Sequence, residues 1–385
     1  MRVVVIGAGF AGLAAADELA RARNEVLVLE ARDRVGGRVH SVEFAGATVE
    51  RGAEWILPGN TTVAETASRL GLELWVKGAK YGDREPRGGD PVTREEMLAA
   101  AARIRELDPS GEGSIAERLR DLDASPGVYE ALVARIDVSA GHPATDIEGT
   151  GLAESGASFG DFDCHTVAGG NQRIATALAD GLDVRLNEPV RRIEWSDTGA
   201  RVNDADADAV VLAVPAGPTT DIAFDPPLPD AKRRALESVV YGQVAKLFVP
   251  LRTPAPPSAT MNVPGRFWCY TQLGPDGRSS PVLGSFAGTL RAIENLPPEC
   301  WRTALAELRP DLELDGDSLH VTWHDDPWAR GGYSARSIRS PMDDEELQRP
   351  LGCLSFAGEH TAGDWHGLME GALRSGLRAA SRLRP

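Results

Sequence analysis

Arg2-Val3-Val4-Val5-Ile6-Gly7-Ala8-Gly9-Phe10-Ala11-Gly12, at the head of a 385-residue chain, decides the fold. Val3 to Ile6 is a β-branched run that reads as a parallel strand buried on both faces, and it passes without a linker into Gly-x-Gly-x-x-Gly. Leu13 to Arg23 has helical character, Glu25 to Leu29 is a second apolar strand, and that strand ends on Glu30. Strand, glycine turn, helix, strand and terminal acid together form a dinucleotide-binding unit. Gly7 permits the tight turn, Gly9 lets the backbone approach a pyrophosphate, and Gly12 lets the helix lie on the strand. The free amides at the helix N-terminus, at Phe10 and Ala11, face the phosphate charge. Glu30 accepts hydrogen bonds from a ribose hydroxyl and repels a 2′-phosphate, which argues against NADP. In a chain with 41 glycines the Gly-x-Gly-x-x-Gly by itself says little. The flanking strand, helix and acid make it specific.

Ala31-Arg32-Asp33-Arg34-Val35-Gly36-Gly37-Arg38 follows Glu30 directly. A nicotinamide enzyme has no reason to place a second Gly-Gly-Arg loop there, whereas an extended FAD runs its pyrophosphate over it. Here the chain resembles the flavin amine oxidase family: monoamine oxidases, polyamine oxidases, L-amino-acid oxidases and lysine-specific histone demethylases. The resemblance continues through Glu50-Arg51-Gly52-Ala53-Glu54-Trp55, Val167 to Gln172, Val210 to Pro215 with Phe224 to Leu228, Leu354 to Thr361 and Gly367 to Ala372. These blocks stand in family order. The resemblance is weak over roughly 77 to 165 and 250 to 320.

The resemblance implies an α/β (α+β) fold in which a Rossmann-like FAD-binding domain is built from three segments, 1–76, 168–228 and 340–385. Residues 77–167 and 229–339 then form a mixed-sheet and helical substrate domain. Helical periodicity in Thr93 to Leu107 and Ser114 to Leu122 fits that scheme. So do the alternating runs Val244 to Val249 and Leu319 to Trp323, which make 236 to 330 sheet-like. Residues 82 to 91 read as an exposed loop, and the glycine-rich stretch 149 to 160 as either an active-site loop or plain surface.

Composition points to a cytoplasmic enzyme. No apolar run approaches a membrane span, the fold starts too early to leave room for a signal peptide, and no C-terminal apolar tail is evident. Four scattered cysteines suggest neither a zinc site nor a disulfide framework. No metal site is expected. A net charge of −16 argues against nucleic acid and mildly favours approach of a cationic amine. Oligomeric state is not legible.

The activity implied is oxidation of a small amine at its C–N bond. The α-hydrogen passes as a hydride equivalent to flavin N5, the imine is hydrolysed, and O₂ reoxidises the flavin to give H₂O₂. Cofactor contacts fall by resemblance on Gly7, Gly9, Phe10, Ala11, Gly12, Glu30, Ala31, Arg32, Gly36, Gly37, Arg38, Gly52, Ala53, Glu54, Val190, Gly358, Glu359, Gly367, Leu368 and Met369. The C-terminal helix, with an apolar face of Leu368, Met369, Ala372, Leu373 and Leu377, is expected to aim its N-terminus at the flavin. Gly371 and Gly376 permit its close approach. Tyr333 stands where monoamine oxidases carry their flavin-linking cysteine, so non-covalent FAD is implied.

Lys246 is the candidate catalytic residue. It shares a strand face with Val244 and Phe248, where burying an ammonium is costly. The family places a lysine in this strand, bridged by a water to flavin N5; an edge-strand lysine reaching solvent is the other reading. Substrate-pocket candidates are Trp55, Glu54, Trp328, Tyr333, Ser334 and Leu368. Ser334 and Leu368 fall where the family's cage tyrosines stand, and Tyr333 with Trp365 is a partial replacement. Trp55 occupies the place of the carboxylate-gripping arginine of L-amino-acid oxidases, which disfavours a free α-amino acid. Glu54 is either a partner for the distal ammonium of a diamine or a member of a structural hydrogen-bond network. Two other functions stay open: a related flavoenzyme acting on C–C bonds, of the carotenoid desaturase or protoporphyrinogen oxidase type, and a silent flavoprotein.

Overall fold

In the computed structural model, the described residues are 1–107, 112–150, 160 and 162–383. Arg2–Ile6 lies at the centre of a five-stranded parallel sheet whose order is Leu354–Phe356, Ala209–Leu212, Arg2–Ile6, Glu25–Leu29, Asp183–Arg185. Both faces of the central strand are covered, which is why the run carries no alternation. Val3 and Val5 pack among residues of the helix Phe10–Arg21 and the C-terminal helix Met369–Ser381. Val4 and Ile6 pack on the other side against Ile193 and Val202, which belong to a second, four-stranded sheet. The layers are therefore helices, parallel sheet and small sheet.

Glycines set the close contacts here. A Cβ on Gly12 would stand 1.9 Å from the Gly7 carbonyl oxygen, and one on Gly376 would stand 2.1 Å from that of Ala11. The first contact seats the first helix on the turn, and the second seats the C-terminal helix on the first. Gly371 meets the Trp365 carbonyl instead, so it serves the turn before its own helix. Leu377, expected on the apolar face, is exposed.

A six-stranded mixed sheet faces this unit, in the order Leu319–Thr322, Val244–Pro250, Val282–Gly288, Phe267–Thr271, Ser258–Asn262, Glu85–Arg87. One face (Ala245, Leu247, Val249, Phe267, Cys269) packs on Ile293, Trp301 and Leu305 of the helices Leu290–Glu294 and Pro298–Leu308. Residues 236 to 330 are thus sheet and helix, not sheet alone. The other face sets Lys246, Phe286 and Trp268 in a cross-strand row. Against Trp268 and Tyr270 pack Ala131, Ala134 and Val138 of the helix Pro126–Ala140. The sequence does not announce this helix, because it is buried on several sides and lacks an amphipathic stripe. The expected helices appear as Arg94–Ile104 and Ile115–Arg120, each opened by a capping box.

Two loop readings change. Glu85–Arg87 inside the supposed exposed loop pairs in parallel with Ser258–Asn262, and Arg84 before it is buried. Most of the glycine-rich stretch, 151–159, lies outside the described residues. Among the described residues no helix is long and apolar enough to cross a membrane.

Candidate active site

A cavity of about 580 Å³ opens at the C-terminal ends of the parallel strands and runs to the Lys246–Phe286–Trp268 row. This is where ligands sit in doubly wound sheets. Every expected cofactor residue lines it except Gly12, which packs behind the turn.

At the dinucleotide end, the helix Phe10–Arg21 starts on Gly9 with no side-chain cap, so its first amides face the cavity. A Cβ added to Gly9 meets nothing within 4 Å. The space it would enter is the cradle itself. Gly36 clamps the second loop to the first through its amide on the Ala8 carbonyl (2.8 Å). Glu30 accepts from the amides of Ala8 (2.7 Å) and Arg32 (2.8 Å), and burial pushes its carboxyl up despite those bonds. Each of its oxygens keeps acceptor capacity for a ribose hydroxyl. The donors and the glycine cradle fit an adenine dinucleotide.

Trp328, expected in the substrate pocket, belongs to this end. Its amide donates to Asp326 (2.9 Å), Asp326 takes both arms of the Arg32 guanidinium (2.7 Å each), and Arg191, beside Val190, lies 5.5 Å over its ring.

In the middle, Glu359 joins three distant stretches of chain. It accepts from Arg38 (2.7 Å), from the Ser334 hydroxyl (2.5 Å) and from the Gly367 amide (2.6 Å). Burial works to raise its pKa, but Arg38 and these donors hold it at about 2. Ser334 is therefore fastened to this frame as well as lining the cavity. Leu368 caps the C-terminal helix, so the start of that helix faces the cavity with Gly367 and Met369.

Lys246 sits between two sheet neighbours, not at an edge, and is buried. Its three protons all have protein acceptors: the Glu50 carbonyl (2.8 Å), the Gly52 carbonyl (2.8 Å) and the Glu54 carboxylate (2.7 Å). A lysine holding a water with a spare proton is thus not the arrangement found. Glu54 in turn takes Lys77 (2.8 Å) and the Tyr270 hydroxyl (2.6 Å). Burial alone drives the Glu54 pKa up, yet the two ammoniums overrule it and hold it at about 2. With this many donors on one carboxylate, the network reading describes Glu54 and the diamine-ammonium reading does not. Lys77, only 1% exposed, is a member the sequence does not single out.

The far wall is aromatic. Trp55 stands 5.0 Å from Tyr270, 5.5 Å from Trp268 and 5.6 Å from Tyr81, centre to centre. Tyr333 donates to the Ser139 carbonyl (2.6 Å), and burial holds its phenol well above the usual range. Trp365 is absent from the cavity lining and stacks under Arg374 at 4.4 Å, and the rings that line the cavity with Tyr333 include Tyr81, Trp268 and Phe286 instead. Arg84 and Arg135 complete this wall, donating to the same Tyr81 carbonyl at 3.1 and 2.9 Å. Sequence reasoning misses both, one inside a polar, proline-bearing stretch and one on a helix without periodicity. Among the described residues no group of three His, Cys, Asp or Glu side chains could hold a metal ion.

These carboxylates give the folded protein a definite acid response. Glu54 and Glu359 sit below the ordinary value of 4.5, so their stabilisation is present above that pH and is lost as pH falls toward 2. Burial holds His360 down to about 4, which removes stability as pH falls from 6.5 to 4. Glu50, raised by burial to about 6, runs the other way, losing its contribution as pH rises from 4.5 through 6. The thermal midpoint is expected to fall most steeply below about pH 4.5. A midpoint curve steepest between pH 5 and 7 would contradict this assignment.

The model of the flavin-containing amine oxidoreductases matches residues 10–87 and 89–384. Polyamine oxidase 1 of Oryza sativa subsp. japonica is 31% identical, over 99% of this chain and 96% of its own length. Putrescine oxidase of Kocuria rosea is 28% identical over 99% and 94%. Among solved structures, a putrescine oxidase double mutant superposes with a TM-score of 0.82 at 25% identity, covering 99% of both chains. Cyclohexylamine oxidase from Brevibacterium oxydans reaches 0.83 at 21% identity over 99% and 98%, a likeness of fold. None of these supports the C–C desaturase alternative. The cradle at Gly9, the frame around Glu359 and the match over nearly the whole chain lead to one statement: the chain belongs to the flavin-containing amine oxidoreductase family.

Proposed function

We propose that this protein is an amine oxidase that holds FAD without a covalent link and oxidises the C–N bond of a small amine, with O₂ as the electron acceptor. The observation that carries the proposal is the single cavity joining the Gly9 cradle to the Lys246 wall. When bound, the flavin supplies the hydride acceptor and passes its electrons on to O₂, giving H₂O₂. The chain supplies everything else. Gly9, the free amides of the first helix and Glu30 hold the pyrophosphate and ribose. Arg38, Glu359 and the start of the C-terminal helix frame the ring end, where backbone amides favour negative charge. Trp55, Trp268, Phe286 and Tyr333 exclude water, and a desolvated ammonium gives up its proton more readily. Lys246 contributes a fixed positive charge beside the reacting atoms. We also assign residues 1–76, 168–228 and 340–385 to the cofactor domain, and 77–167 and 229–339 to the substrate domain.

The purified protein is expected to be yellow, and acid precipitation to release intact FAD into the supernatant, because residue 333 is tyrosine. Anaerobic amine bleaches the colour, and air restores it with release of H₂O₂. Flavin retained in the pellet would refute non-covalent binding. A yellow protein that no amine of a broad panel bleaches would refute the activity.

A further inference from the structure

Arg84 has no task in the chemistry described so far. Its guanidinium lies 3.9 Å from the centre of the Trp268 ring and 4.4 Å from that of Tyr81, and the residue is only 4% exposed. Nε donates to the Tyr81 carbonyl, while Nη1 is buried without a hydrogen-bond partner. No carboxylate among the described residues pairs with it. The nearby wall carboxylates are committed, Glu54 to two lysines and a tyrosine, and Glu359 to Arg38, Ser334 and Gly367. A buried guanidinium with an unmet donor carries a desolvation cost that a bound anion removes. The two rings hold its plane, and a guanidinium fork matches a carboxylate with two parallel bonds. Arg84 and Tyr333 line the same cavity. Arg135 brings a second positive charge to the same carbonyl.

Resting on the amine oxidase reading, we propose that the substrate amine carries a carboxylate and that Arg84 binds it. The family's carboxylate-gripping position is filled here by Trp55, and Arg84 reaches the same aromatic wall from another segment. A diamine is disfavoured, since its second ammonium would face a guanidinium in a poorly screened site.

The test uses the holoenzyme and three matched chain-length series: ω-amino acids, n-alkylamines and α,ω-diamines. For at least one length, kcat/KM for the amino acid is expected to exceed that for the alkylamine by about 10- to 100-fold, the usual worth of a charged hydrogen bond. Arg84→Gln collapses that ratio, and Arg84→Lys restores part of it. Simple aliphatic carboxylates lacking the amine are expected to perturb the flavin spectrum of the parent, with Kd at least about 10-fold weaker in Arg84→Gln. Alkylamines or diamines preferred at every length, or a ratio unchanged in Arg84→Gln, overturns the proposal. If no amine bleaches the flavin, the amine oxidase reading fails, while the carboxylate titration still decides the role of Arg84. Should Arg84→Gln lose its flavin, the parent series and Arg84→Lys give the answer.

Discussion

Gly9→Val is expected to purify as a folded, colourless protein. At Gly12, Gly52 or Gly376 a Cβ would collide with a backbone carbonyl, and substitution there tests folding rather than cofactor binding. Gly9 differs. Its φ of −76° suits any residue, and a Cβ at that position meets no protein atom within 4 Å. The valine methyls enter only the space above the free amides of the first helix. A bulky group there displaces a pyrophosphate while the protein interior is undisturbed, so flavin content falls to the detection limit with circular dichroism unchanged. Glu30→Ala is the graded counterpart, weakening FAD by roughly 1–3 kcal/mol through loss of a charge-assisted ribose contact. Full flavin occupancy in Gly9→Val would remove the dinucleotide assignment.

Lys246→Met is expected to show two separable losses. The first is stability. Methionine matches the stem but leaves the carbonyls of Glu50 and Gly52 without their donor and removes one of two ammoniums from Glu54. Breaking a buried pair outright costs about 3–5 kcal/mol. With Lys77 and Tyr270 still on Glu54, a loss of about 2–3 kcal/mol is expected, enough to lower the thermal midpoint by several degrees. The second loss is kinetic. Reoxidation by O₂ places negative charge near this wall, and removing one preorganised cation there is expected to slow it by about 10²-fold. Anaerobic bleaching by substrate changes much less. Lys77→Met separates the two effects, since Lys77 shares Glu54 but does not line the cavity. It should lose comparable stability and keep the parent's reoxidation rate. Equal reoxidation rates in Lys246→Met and the parent would leave Lys246 a structural cation.

What was legible in the sequence is what backbone chemistry makes obligatory. The Gly7–Gly12 turn, its flanking strands and Glu30 are read directly because a phosphate cradle tolerates few alternatives. Lys246 stands out because an ammonium among Val244, Phe248 and their neighbours needs a reason. Side-chain partnerships across the fold are a different matter. Whether Glu54 meets a substrate or two lysines depends on Lys77 and Tyr270, residues 23 and 216 positions away, and no local pattern encodes that. Trp365 falls outside the cavity lining for the same reason, since a tryptophan suits a flavin pocket and a structural stack equally well. Arg84 was hidden by its company: Gly-Asp-Arg-Glu-Pro-Arg looks like solvent-exposed loop until Glu85–Arg87 is seen extending a sheet edge.

The strand order of the parallel sheet has a consequence for how the chain is made. Arg2–Ile6 pairs on one side with Glu25–Leu29, close behind it, but on the other with Ala209–Leu212, and the strand beyond that comes from Leu354–Phe356. At roughly 5–20 residues per second, the first strand emerges from the ribosome some 10–40 s before its second neighbour exists. For that interval a run of valines presents an unpaired edge, the kind of template on which nascent chains associate wrongly. A longer interval, about 18–70 s at the same rate, divides the cradle at Gly9 from the Glu359 frame, so the nucleotide fingerprint is synthesised long before the ring end of its site can close around it.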